Sequence, residues 1–130
     1  MKIEYLTNVN PNQPKDSIFR IFDFNSSEAR QFRDILSKLA DGSSTETDLN
    51  SFPFVKSVAD VLFVLKVGSK DKGVISHSEN YFECVLTRDA WEDARAFVEP
   101  FCETTDVSGY QWLYNLDTDI ELLFSQNGDW

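Results

Sequence analysis

Ser17-Ile18-Phe19-Arg20-Ile21-Phe22-Asp23-Phe24, followed at once by Asn25-Ser26-Ser27-Glu28, is the stretch that decides the fold. Its opening residues are mostly β-branched or aromatic, with Ile18, Phe22 and Phe24 on one face of an extended chain and Phe19 and Ile21 on the other. Apolar side chains on both faces predict a strand inside a sheet. Asn25 can accept from a free backbone N–H at a helix start, and Glu28, three residues on, can accept from the N–H of Asn25. The pattern therefore predicts a strand running into a capped helix. Ala29, Phe32, Ile35, Leu36 and Leu39 then recur at three- and four-residue steps, Arg30, Arg33, Asp34 and Lys38 take the solvent side, and Gly42 permits a left-handed exit.

Outward from this unit, residues 2–6 suit a short strand, residues 8–14 a surface loop, and the polar stretch 42–50 a second loop. Val61-Leu62-Phe63-Val64-Leu65-Lys66-Val67, bounded by Gly68, reads as a central strand covered on both faces. Tyr81 to Leu86 alternates, which puts Phe82, Cys84 and Leu86 toward a core. Thr87 can cap a second helix with a buried stripe of Trp91, Ala94, Phe97, Val98 and Phe101, and Pro100 forces an end or a bend. Two final strands, 109–114 and 120–124, flank a short polar connection.

The two halves of the chain share this order. Strand, polar cap, helix and apolar strand ending in a Gly turn run from Ile18 to Gly68 and again from Phe82 to Gly128. Phe24-Asn25 matches Leu86-Thr87, and Asp60-Val61-Leu62-Phe63-Val64-Leu65 matches Asp119-Ile120-Glu121-Leu122-Leu123-Phe124. The expectation is an α+β fold in ferredoxin-like βαβ-βαβ order with an extra strand, two helices packed on one face of an antiparallel sheet, and a pseudo-duplicated chain. One domain spanning residues 1–130 is expected, its folded body starting near Ser17.

Composition narrows the function classes. Hydrophobic residues make up 42% and the chain holds 11 Phe, enough apolar material for a core without staples. No apolar run reaches the roughly 18 to 20 residues of a membrane span, and the first residues do not read as a secretory leader, so a cytoplasmic address is expected. Cys84 and Cys102, with no close pairing, fit reduced, buried thiols. Net charge is -10 and unevenly spread: residues 1–72 hold ten basic and ten acidic side chains, residues 73–130 only Arg88 and Arg95 against twelve acids. Such a field repels nucleic acid and anionic membranes and attracts basic proteins. The plainer reading of the same charge is solubility.

Motifs for catalysis are sparse. The 5 glycines are isolated, so no phosphate loop is read, and His77 is the sole histidine, leaving a Cys–His pair or a metal site short of ligands. Asp117, Asp119 and Glu121 alternate near the last turn and could hold a cation, yet they lack the glycine and closing glutamate of an EF-hand loop. Tyr110, Trp112 and Tyr114 also alternate, which puts them on one strand face, buried in the core or else exposed for recognition. The function expected is a non-catalytic binding or inhibitor-type protein that neutralises a basic protein partner, such as a cationic nuclease. Its partner-binding residues would be Glu92, Asp93, Glu99, Tyr110, Trp112, Tyr114, Asp117, Asp119 and Glu121, with no catalytic residue, metal or cofactor. The alternatives are a small regulatory or ligand-binding domain, a homodimer formed through a sheet face, and a carboxylate-dependent enzyme.

Overall fold

A computed structural model describes residues 1–7, 17–103, 109–116 and 118–130. In chain order it has β1 (Lys2–Thr7), β2 (Ser17–Phe22), α1 (Ser26–Asp41), β3 (Glu46–Asp48), a 3-10 turn (Leu49–Ser51), β4 (Lys56–Ser57) and β5 (Leu62–Val67). Then come β6 (Gly73–Ser76), β7 (Tyr81–Leu86), α2 (Arg88–Val98), a second 3-10 turn (Glu99–Cys102), β8 (Tyr110–Tyr114) and β9 (Ile120–Ser125). The fold is α+β. Among the described residues no helix is long and apolar enough to cross a membrane.

The local signals act as their chemistry dictates. Asn25 and Glu28 form a complete capping box on α1, which leaves through Gly42 at φ 84. The Thr87 hydroxyl accepts from the N–H of Ala90 at 3.3 Å to start α2, and Pro100 lies in the 3-10 turn that follows it. In β7, Phe82, Cys84 and Leu86 are all fully buried. Between Phe22 and Phe24 the alternation breaks, because Asp23 takes a left-handed φ of 52. Phe24 swings from its expected face to stack on Phe124, with ring centroids 4.3 Å apart.

The sheet arrangement departs from the expected single antiparallel sheet. Strands order as β4-β1-β2-β9-β8 in one sheet and β3-β5-β7-β6 in another. Both are mixed, since β2 pairs parallel with β9 and β5 parallel with β7. The cause lies in the doubly apolar interior strands. Phe19 of the first sheet stacks on Phe63 of the second with centroids 4.0 Å apart and meets Phe82 at 5.3 Å, so these rings pack between sheets. One apolar cluster draws on both sheets and both helices, from Ile3 and Phe19 through Phe32 and Trp91 to Phe124.

The repeated order seen in the sequence has a geometric counterpart. With the halves exchanged, β1-β2-β9-β8 becomes β6-β7-β5-β3, and these are the two sheets, the first extended by β4. Counted from the caps Asn25 and Thr87, buried helix residues fall at the same steps: Ala29 with Trp91, Phe32 with Ala94, Leu36 with Val98, Leu39 with Phe101. The first half lends β3 and β5 to the other half's sheet, and the second half lends β8 and β9.

Three strands escape the sequence pattern. β3 lies in the stretch expected to be loop, because its Glu-Thr-Asp has no apolar alternation and is held by pairing, with Glu46 opposite Lys66 on β5. β4 and β6 are also short, two and four residues, and are likewise held by their neighbours.

Candidate partner-binding cleft

A cleft of about 360 Å³ opens between α2 and β8. Ala90, Asp93 and Phe97 line it from the helix, Gln111 to Leu116 from the strand and the turn after it, and Asp71 from the turn before β6. Phe97 was expected in the buried stripe. It is 40% exposed, because it stands beside the stripe of Trp91, Ala94, Val98 and Phe101 and faces the cleft. Leu116 is 67% exposed on the same rim.

Gly73 shapes one end. Its φ is 72, and a Cβ there would come within 2.8 Å of the Tyr114 ring, so only glycine lets that ring lie against the start of β6. The Tyr114 hydroxyl reaches the carbonyl of Asp71 at 3.5 Å, while the Asp71 carboxylate accepts from the N–H of Thr87 at 2.8 Å. The acid at this end is thereby held by the start of α2.

The three alternating aromatics do not share one face. Trp112 pairs with Leu123 and Tyr114 with Leu122, because a register shift intervenes, and neighbouring residues of β9 point to opposite sides. Tyr114 packs against the core and Trp112 takes the other side. Tyr110 is exposed and meets Trp112 edge-on, with ring centroids 5.8 Å apart.

The expected acids also separate. Asp93 lies in the cleft, exposed and without an ion pair among the described residues. Glu92 is bound to Arg95 at 2.6 Å, and that bond holds its carboxyl below the ordinary range. Glu99 bridges Arg33 at 3.2 Å and Arg95 at 3.3 Å. Asp119 is exposed beside β6, in a different depression with Lys72 and Val74, and Glu121 is half-buried on β9 opposite Ile18. Asp117 lies outside the described residues. The cleft thus gathers Asp93, Trp112 and Tyr114 from the expected set and adds Asp71, Phe97, Gln111 and Leu116, which the sequence reading did not single out. Phe97 alone carried a signal, an aromatic at the flank of a helical stripe.

A second polar cluster sits on the outer face of the other sheet. Glu83 is buried in β7, ion-paired with Lys66 and 2.7 Å from the His77 ring. The hydrogen bond from Lys66 holds the Glu83 carboxyl below its usual range against the opposing effect of burial. His77 therefore has Glu83 as its partner. Cys84 points to the opposite side of β7, where burial pushes its thiol far up. Burial raises Cys102 as well, and both thiols are free.

Comparison with protein-family models, with curated proteins and with solved structures finds no match in any of the three. The class defined by the fold is a two-sheet α+β protein with exchanged halves.

Proposed function

We propose that this chain is a non-catalytic binding protein that docks a basic protein partner in the cleft between α2 and β8. One observation carries the reading: the described lining holds Asp71 and Asp93 beside Phe97, Trp112, Tyr114 and Leu116, and no Lys, Arg or His. Aromatic rings and unneutralised carboxylates together favour an ammonium or guanidinium group over a neutral or anionic one. The acidic second half adds a long-range field that speeds encounter with a cationic surface. The weight among the expected acids moves to Asp93, because Glu92 and Glu99 already have arginine partners. A reducing, cytoplasmic setting belongs to the proposal and is supported by two buried thiols that are not joined. Those thiols are poor nucleophiles, since burial raises their pKa.

The test begins with co-purification from the native cell at low salt, followed by stopped-flow association with the recovered partner. Asp93→Asn is expected to slow association and flatten its salt dependence, while Asp60→Asn, an equal charge change at an exposed turn of the first half, does little. Equal rates and equal salt slopes for the two variants would reduce the acidity to a solubility device. Recovery of a small molecule or a second copy of the chain would favour a ligand-binding domain or a homodimer, and the cleft's volume fits a small ligand.

A further inference from the structure

The cleft has a second property besides its charge: one of its walls is a sheet edge. β8 is the terminal strand of its sheet, and among the described residues β9 is its only strand partner. Side chains on one face of a strand recur at every second residue, yet the consecutive residues Gln111, Trp112, Leu113 and Tyr114 all line the cleft. The cleft therefore runs along the strand and includes its backbone edge. N–H and C=O groups on that edge, turned away from β9, are a template for another extended chain. The register shift lies between Trp112 and Tyr114, so the pairing from Tyr110 to Trp112 is regular.

Resting on the reading of a basic partner, we infer that the partner enters this cleft as an extended segment that adds a strand to β8. Main-chain hydrogen bonds to β8 would hold the segment, and its alternate side chains would carry the recognition. Basic residues two apart then point to the same side, toward the Asp93 and Asp71 wall, while the residues between them point away. The edge accommodates roughly three to five residues at about 3.3 Å each. Charge complementarity selects this occupant, since among the described residues the lining offers two carboxylates and no cation. The first half shows how the related groove between α1 and β3 is lined when the chain supplies the side chains itself: Phe52 and Phe54, two residues apart, stand with Ile35 and Thr47.

The test uses the full chain and three capped peptides of one sequence, Thr-Lys-Thr-Lys-Thr-Lys-Thr. One peptide is unmodified, and the other two are N-methylated at alternate residues, on one backbone edge or on the other. Charge is the same in all three. Calorimetry is read beside backbone amide shifts of the protein. The expected result is binding of the unmodified peptide with shifts concentrated at residues 110–114, weakened by Asp93→Asn. One methylated form should lose about tenfold or more in affinity, the equivalent of at least one main-chain hydrogen bond, while the other keeps it. Equal binding of all three peptides, or shifts centred away from β8, overturns strand addition and leaves the basic-partner reading standing. Failure of all three to bind overturns both.

Discussion

The two helix-and-edge grooves occupy related places in the two halves and have been finished differently. Between α1 and β3, Ile35 is 7% exposed and the groove is lined by Phe52, Phe54 and Lys38. Between α2 and β8, the related Phe97 is 40% exposed and the lining is aromatic and acidic. The difference traces to the connections. From β3 to β5 the chain spends residues 49–61 on a 3-10 turn, the two phenylalanines and β4, whereas β8 reaches β9 through residues 115–119 alone. The longer connection lines the first groove with two phenylalanines and extends the first sheet, whereas the described residues of the shorter one bring Asn115 and Leu116 to the second. Equivalent positions in a repeated fold can therefore differ in surroundings: Ile35 is buried, while Phe97 stands exposed beside Asp93.

Truncation of the paired helix positions should give the largest contrast between the two grooves. Ile35→Ala should cost about 2 to 5 kcal/mol, the usual range for a buried aliphatic truncated to Ala. Phe97→Ala should stay within about 0.5 kcal/mol of the parent, as an exposed position does. Urea denaturation of both variants measures the contrast, and similar losses would mean that Phe97 is a core residue after all.

The next effect concerns the long connection. The Asn50 side chain donates to the carbonyl of Val61 at 2.9 Å and accepts from the N–H of Phe63 at 2.8 Å, continuing the β3–β5 ladder through an amide side chain. Asn50→Ala should cost about 1 to 3 kcal/mol by leaving those groups without partners. Asn115→Ala, in the exposed short connection, should leave stability nearly unchanged. Hydrogen exchange at Phe63 distinguishes a local opening from a global one, and unchanged protection in Asn50→Ala would sink the assignment.

The smallest effect tests charge on the outer sheet faces. By register, Arg20 of β2, bound to Glu4 at 2.7 Å, corresponds to Glu83 of β7 with Lys66 and His77, so the sign of the central charge is reversed. The folded state depresses the pKa of Glu83, so its contribution is fully present above the unfolded value of about 4.3 and is lost as pH falls through the lower folded value. The stability gap between the parent and Glu83→Gln should therefore narrow below about pH 4. A gap that stays constant from neutral pH to pH 3 would show that Glu83 gains nothing from its ionised form.

What was legible in the sequence is what a single element decides. The caps at Asn25 and Thr87, the α1 stripe, the β7 alternation and the order shared by the halves all follow from local spacing. Partnership between strands has no such period: β2 meets β9 in parallel from the far end of the chain, and Phe19 stacks on Phe63 of the other sheet. The candidate site failed for the same reason. Asp71 and Phe97 reach the cleft because distant segments converge there, and Tyr114 leaves the face of Trp112 because of a bulge that the alternating letters hide. Glu92 and Glu99 looked available only because their arginines belong to other turns, Arg95 one turn away and Arg33 on the other helix.

The exchange of last strands between the halves also governs how the chain must assemble. Ser17 pairs with Ile120 across most of the sequence, so closing the first sheet carries a large loop entropy before any contact repays it. The β1–β2 hairpin and α1 are local and can form early, but β2 keeps one bare edge until β9 arrives. The second sheet draws on residues 46–86 alone and its pairings are local, so the first sheet is the one that waits for a distant strand. Closure of β9 onto β2 is accordingly the step that this topology should slow.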